Sequence, residues 1–158
     1  LTGSRDETAR VWDANTAESL FTFTEHIQAI TSVAFSLDGK YAITGSWDKT
    51  AIVWDANTGE DVATFTGHTD AVTSVAFSAD GKYVLTGSAD TGARLWDLQQ
   101  PASPLRTFFN DTASPVWAVA FSPDGAQVLT GDRDKTARLW HVHETDMKCA
   151  TLSFSGLR

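Results

Sequence analysis

The chain has 158 residues, 42% of them hydrophobic and 20% charged, and carries a formal net charge of −8. That is ordinary soluble composition, and with no run of Lys or Arg it argues against a nucleic-acid partner, whose phosphates demand a basic face. No apolar stretch approaches the ~20 residues of a membrane span, the N-terminus lacks the basic and apolar regions of a signal peptide, and a single cysteine, Cys149, cannot close an internal disulfide, so the expected location is cytoplasmic.

The first residues, Leu1-Thr2-Gly3-Ser4, read as the end of a second strand, so the sequence starts inside a repeat. That repeat covers residues 3–13 and recurs at 45–55, 87–97 and 131–141, each time closing on Trp followed by Asp or His. Trp12, Trp54, Trp96 and Trp140 are separated by 42, 42 and 44 residues, the period of a four-stranded propeller blade.

After Trp12 the next unit brings an inner strand containing Val33 and Phe35, a second strand through Thr44 and a third strand ending at Trp54. Ala56-Asn57-Thr58-Gly59 turns into an outer strand over Asp61–Phe65, and Gly67-His68 opens the following unit. There the inner strand is Val72–Phe77, the turn Ser78-Ala79-Asp80-Gly81-Lys82, the second strand Tyr83–Ser88 and the third 93–96. Gln99-Gln100-Pro101-Ala102-Ser103-Pro104 is a longer turn that accounts for the 44-residue interval. The last unit repeats the inner strand with Val119 and Phe121 and ends in an outer strand near 150–154. Inner strands apolar on both faces suit sheets packed between two neighbours.

Gly67-His68, Ser78-Ala79-Asp80-Gly81, Gly87-Ser88-Ala89-Asp90 and Trp96-Asp97, in that order, resemble the WD-repeat (WD40) β-propeller family over essentially the whole chain. The resemblance implies an all-β propeller of four-stranded antiparallel blades. Its expected organisation is a partial blade lacking its inner strand (1–25), then blades at 26–67, 68–109 and 110–158, about three and three-quarter blades in all. The ring is then incomplete within one chain. Three remedies follow: remaining blades of a longer chain, which the mid-blade start favours; a second copy, closing about eight blades; or a four-blade ring.

The resemblance also implies, in each blade, a hydrogen-bond chain from loop His through a second-strand hydroxyl and the turn Asp to the third-strand Trp. Two blades hold every part: His26, Thr44, Asp48 and Trp54, then His68, Thr86, Asp90 and Trp96, with Ser46 and Ser88 as alternative hydroxyls. The last unit holds Thr130, Asp134 and Trp140, but Thr112 stands where the histidine belongs, and Asn110 or Asp111 are possible substitutes. Ser, His and Asp together suggest a hydrolase, yet they recur once per blade with the hydroxyl inside a strand, and nothing supplies an oxyanion hole. The expected protein is therefore not an enzyme and uses no cofactor.

By the same resemblance, partners bind the rim formed by the loops leading into the inner strands and the turns between second and third strands. The variable turn positions there are Arg5, Trp47, Ala89 and Arg133, and Trp117 lies near an inner-strand start. Trp and Arg are enriched among interface hot spots, and Arg can receive a carboxylate or phosphate. The expected function is a non-catalytic protein-interaction scaffold or recognition module. The alternative is the sensor or targeting region of a larger signalling enzyme (kinase, NTPase or protease), which a GxxxxGK[ST] or kinase motif outside this sequence would mark. His141, His143, Glu144, Asp146 and Cys149 include metal-ligand types, but no second cluster completes a four-ligand set, so a polar turn is expected and no metal.

Overall fold

A computed structural model of the chain describes residues 1–142 and 149–153. They form antiparallel strands in four sheets with no closed ring. The first sheet has three strands, β1 (Thr2–Gly3), β2 (Ala9–Trp12) and β3 (Ser19–Phe23). The second runs β4 (Ile30–Phe35), β5 (Tyr41–Ser46), β6 (Ala51–Asp55) and β7 (Asp61–Phe65). The third runs β8 (Val72–Phe77), β9 (Tyr83–Ser88), β10 (Gly92–Asp97) and β11 (Arg106–Phe109). The fourth runs β12 (Val116–Phe121), β13 (Gln127–Asp132), β14 (Thr136–His141) and β15 (Cys149–Ser153). Sheet order follows chain order throughout, so each sheet is a meander closed by tight turns. No helix among the described residues is long and apolar enough to cross a membrane.

The core lies between sheets. Ile43, Val53 and Phe65 of the second sheet bury against Val72, Val84 and Trp96 of the third. Leu85, Leu95 and Phe108 of the third bury against Val128 and Trp140 of the fourth. An outer-strand phenylalanine meets the tryptophan of the following sheet each time: Phe23 on Trp54 at 4.6 Å between ring centroids, Phe65 on Trp96 at 5.2 Å, and Phe108 on Trp140 at 5.5 Å. Those separations are in the range where aromatic pairs add to their area burial. Phe35 departs from the core role its sequence position suggests, with 44% of its surface exposed. Its counterparts Phe77 and Phe121 are partly buried against the cores between sheets, whereas the first sheet, which precedes Phe35, has no inner strand.

A second recurring contact joins the inner strands. Two β-branched residues three apart straddle a glycine at the end of the preceding sheet's second strand. A Cβ placed on Gly45 would lie 2.8 Å from both Val72 and Val75, and one on Gly87 would lie 2.9 Å from Val116 and 2.8 Å from Val119. Ile30 and Val33 crowd Gly3 in the same way. Thr31 and Thr73 add a clasp. Thr31 Oγ1 donates to Val72 O (2.5 Å) and Thr73 Oγ1 to Val116 O (2.5 Å), while Ser32 and Ser74 accept from Val75 N and Val119 N, each at 3.2 Å. Gly87→Ala is therefore expected to lower unfolding free energy by about 1–3 kcal/mol through overpacking. Gly131→Ala, where among the described residues a Cβ meets only Ala118, at 3.7 Å, should leave the urea midpoint within experimental error of the parent; equal losses at both glycines would refute the socket.

Candidate functional site

The turn between second and third strands begins with an aspartate whose Oδ1 accepts the amide two residues on: Thr8, Thr50, Gly92 and Thr136 donate to Asp6, Asp48, Asp90 and Asp134 at 3.0–3.1 Å. That bond holds the intervening residue, Glu7, Lys49, Thr91 or Lys135, in the left-handed region at φ 68–75°. The other carboxylate oxygen is thereby aimed back at the loop leading into the inner strand.

In the second and third sheets that oxygen meets a histidine. Asp48 Oδ2 lies 2.7 Å from His26 Nδ1, and Asp90 Oδ2 lies 2.8 Å from His68 Nδ1. Each Nε2 is 2.7 Å from a threonine hydroxyl, Thr44 or Thr86, and that oxygen accepts the indole N–H of Trp54 at 3.0 Å or Trp96 at 2.9 Å. One proton arrangement satisfies every group. The indole donates to the hydroxyl, the hydroxyl to a neutral imidazole through Nε2, and Nδ1–H to the carboxylate. Burial drives the His68 pKa below its usual value despite the neighbouring Asp90. Burial would raise the Asp90 carboxyl, but hydrogen bonds from His68 and the amides of Thr69 and Gly92 hold it down to about 2. The hydroxyl that meets the indole is the threonine's in both sheets. Ser46 and Ser88 instead donate to Gln28 O and Asp70 O at 3.0 Å, tying the loop to the second strand.

The fourth sheet is built otherwise. Thr112 occupies the histidine's place and donates to Asp134 Oδ2 at 2.5 Å. A hydroxyl is too short to span on to Thr130, which among the described residues keeps the Trp140 indole alone, at 3.2 Å. Arg138 fills the interior instead. Its guanidinium is buried and donates to Asp132, to Asp134 Oδ2 at 3.0 Å, to Asp111 Oδ1 at 3.1 Å and to Thr136 Oγ1 at 2.6 Å. Asp132 stands where the other sheets have Ser46 and Ser88, and burial raises its carboxyl from its ordinary value against the pull of Arg138. Asn110 is buried and pins the loop through Ser114, donating from Nδ2 to Ser114 O at 2.5 Å and accepting Ser114 N at 3.0 Å. In the first sheet Trp12 donates to Thr2 Oγ1 at 2.8 Å.

Sequence reasoning passed over Arg138, Asp132 and Thr2. The ten-residue interval from Thr2 to Trp12, the same as Thr44 to Trp54 and Thr86 to Trp96, was the available signal for the last. Arg138 shares its strand position with Arg10 and Arg94, where the second sheet has Ile52, so its residue type alone gave no signal for the first.

On the same rim, Trp47 N, Ala89 N and Arg133 N donate to Ala29 O, Ala71 O and Pro115 O, so each variable turn residue is fixed beside the start of an inner strand. Arg5, Trp47 and Trp117 line one depression of about 350 Å³, together with Ile30, Thr31 and Thr73. Trp47 is 51% and Trp117 56% exposed. Ala89 and Arg133 lie outside that lining. Of the metal-ligand types near the end of the sequence, His141 closes β14 and its carbonyl accepts Arg106 at 2.9 Å. His143, Glu144 and Asp146 lie outside the described residues. Among the described residues no group of three or more His, Cys, Asp or Glu is placed to hold a metal ion.

Four-stranded meanders in chain order, each carrying a turn aspartate and an indole on a strand hydroxyl, define a propeller-type repeat array. The chain belongs to the WD-repeat family: WD40 (WD domain, G-beta repeat) matches residues 17–55, 59–97 and 102–141. Each matched unit runs from an outer strand to the third strand of the next sheet, which is the span that brings Phe23 onto Trp54, Phe65 onto Trp96 and Phe108 onto Trp140. No curated protein matches the chain. Domains of this family generally mediate protein–protein interaction and are generally non-catalytic scaffolds.

Proposed function

We propose that the chain is a non-catalytic recognition module of the cytoplasm that engages a protein partner through the rim formed by the inner-strand loops and the second-to-third-strand turns. The observation that supports this reading is the depression shared by Arg5, Trp47 and Trp117, contributed by the first, second and fourth sheets. Two half-exposed indoles offer large apolar area with little rotamer entropy to lose, and a guanidinium beside them supplies a directional contact for a carboxylate. The hydroxyl–imidazole–carboxylate chains beneath the rim are spent on the indoles of the core, so they stiffen the platform and activate no nucleophile.

The test is affinity capture followed by titration of the captured partner. Trp47→Ala is expected to weaken binding by about 2 kcal/mol or more, roughly thirty-fold, the size of a hot-spot loss. Arg5→Ala should weaken it with a marked salt dependence. Leu37→Ala, on the opposite rim between β4 and β5, is the control and should bind as the parent does. Capture undiminished by Trp47→Ala and Arg5→Ala, with unchanged circular dichroism, would overturn the proposal.

A further inference from the structure

Four of the six tryptophans spend the indole N–H inside the fold: Trp12, Trp54, Trp96 and Trp140 each donate to a threonine hydroxyl. Among the described residues the N–H groups of Trp47 and Trp117 have no such partner, and both rings are about half exposed in the depression they share with Arg5. Trp117 is there because of its place in the strand. The inner strands are irregular one residue in, at Thr31, Thr73 and Trp117, and a bulge re-aims the side chain it carries. Thr31 and Thr73 use that position to reach a carbonyl of the next sheet, whereas Trp117 has no hydroxyl and lines the depression instead.

The chemistry of this lining is one-sided. Its unspent side-chain donors are Arg5 and the two indoles, and among the described residues Arg5 makes no ion pair, in contrast to Arg94 and Arg138. The hydroxyls of Thr31 and Thr73 have given their protons to backbone carbonyls and can only accept from an occupant. No carboxylate of the described residues lines the depression. An occupant must therefore bring an acceptor for the guanidinium, an apolar group for the indole faces and N–H donors for the threonines. A peptide with a carboxylate side chain beside an apolar one has all three.

Two other occupants fit worse. A cation would gain from the indole faces, but Arg5 repels it and no carboxylate in the lining balances it. A phosphate monoester brings a charge of about −1.5 to −2, and Arg5 is the sole cation of the lining, with Arg133 outside it. The surplus charge would be left against two indoles, on a chain of net charge −8. A carboxylate carries one charge and matches one guanidinium through two parallel hydrogen bonds. We infer that the depression takes an unphosphorylated acidic peptide segment, with an Asp or Glu carboxylate on Arg5 and a neighbouring large apolar residue against Trp47 and Trp117. This rests on the rim contact proposed above and specifies what that contact recognises.

The test is selection of displayed random peptides, unphosphorylated, on the immobilised full chain. Parent selections are expected to enrich Asp or Glu adjacent to a large apolar residue, and selections on Arg5→Glu to switch that acidic position to Lys or Arg. Arg5→Ala should lose the acidic preference without gaining a basic one, which decides the matter even if Arg5→Glu misfolds. The most enriched peptide is then titrated by fluorescence anisotropy. Exchanging its Asp or Glu for Asn or Gln should weaken binding by about ten-fold or more, the loss of a charge-assisted contact, and exchanging it for phosphoserine should not tighten binding. Parent selections that enrich nothing or enrich basic peptides, equal binding by the amide version, or a phosphoserine version that binds about ten-fold tighter would overturn the inference. If capture of the partner still depends on Trp47 and Arg5 in that case, the rim contact stands and the class of segment alone is wrong; if it does not, both fall.

Discussion

Thr86→Val is expected to destabilise the chain by about 2–4 kcal/mol, because one isosteric change strands two buried groups, each costing roughly 1–3 kcal/mol. The Thr86 hydroxyl donates to His68 Nε2 at 2.7 Å and accepts the Trp96 N–H at 2.9 Å. Valine fills the same space and offers neither. The loss should be read from urea unfolding followed by tryptophan fluorescence. Thr44→Val should match it, since His26 and Trp54 flank Thr44 at 2.7 and 3.0 Å. Thr130→Val should cost distinctly less, because Thr130 serves only the Trp140 indole, at 3.2 Å. Three equal losses would show that the hydroxyl–imidazole bond contributes nothing.

The second large effect is expected at Arg138. Arg138→Met keeps the length and apolar stem of the side chain but removes the cation that Asp132, Asp134 and Asp111 share. Asp132 is then a buried carboxylate without a counter-charge, and breaking a buried pair in this way costs about 3–5 kcal/mol. The deficit should depend on pH with a defined sign. Burial already holds the native Asp132 pKa above the ordinary value of 3.8, and Arg138 opposes that rise. With Arg138 gone the native carboxyl rises further, so between 3.8 and its raised value the folded state binds more protons than the unfolded one. Stability of the variant therefore increases as pH falls through that window. Arg138→Met combined with Asp132→Asn should recover much of the loss at neutral pH and flatten the pH dependence. Urea midpoints between pH 4 and pH 7 read both effects; a deficit that deepens on acidification, or that Asp132→Asn fails to relieve, would show that Asp132 is not the group left unpaired.

The contrast between these two positions shows what sequence can and cannot carry. The strands of the second and third sheets were legible because each ends at a turn with its own chemistry, as at Ser78-Ala79-Asp80-Gly81, and because the indoles keep a fixed period. His26 with Asp48 and His68 with Asp90 were legible for the same reason, since both recur 22 residues apart. In the fourth sheet the loss of histidine was visible at Thr112, but its replacement was not. The four-residue step from Asp134 to Arg138 repeats that from Asp90 to Arg94, but Asp111 is brought to the same guanidinium from 27 residues away, and no linear spacing encodes that meeting. The glycine sockets were hidden in another way. Gly45 and Gly87 read as strand ends, while the valines that need them lie about thirty residues downstream in a different sheet. On the rim, Arg5, Trp47, Ala89 and Arg133 are equivalent in the repeat, yet only Arg5 and Trp47 share the depression with Trp117, because side-chain reach and local curvature decide convergence.

The sockets at Gly3, Gly45 and Gly87 accept nearly the same pair, so a strand is not told by its neighbour's shape which one it has met. A pair that bypasses the adjacent sheet and seats on the one before it spans about twice the length of chain, and doubling a loop costs only about 0.6 kcal/mol. Correct assembly is therefore favoured at the first encounter by little more than the shorter tether, and bypassed arrangements are to be expected in a chain of such similar units. What disfavours them is the skipped sheet, which such an arrangement leaves with both of its faces uncovered. Proofreading in this molecule is done by the element left out.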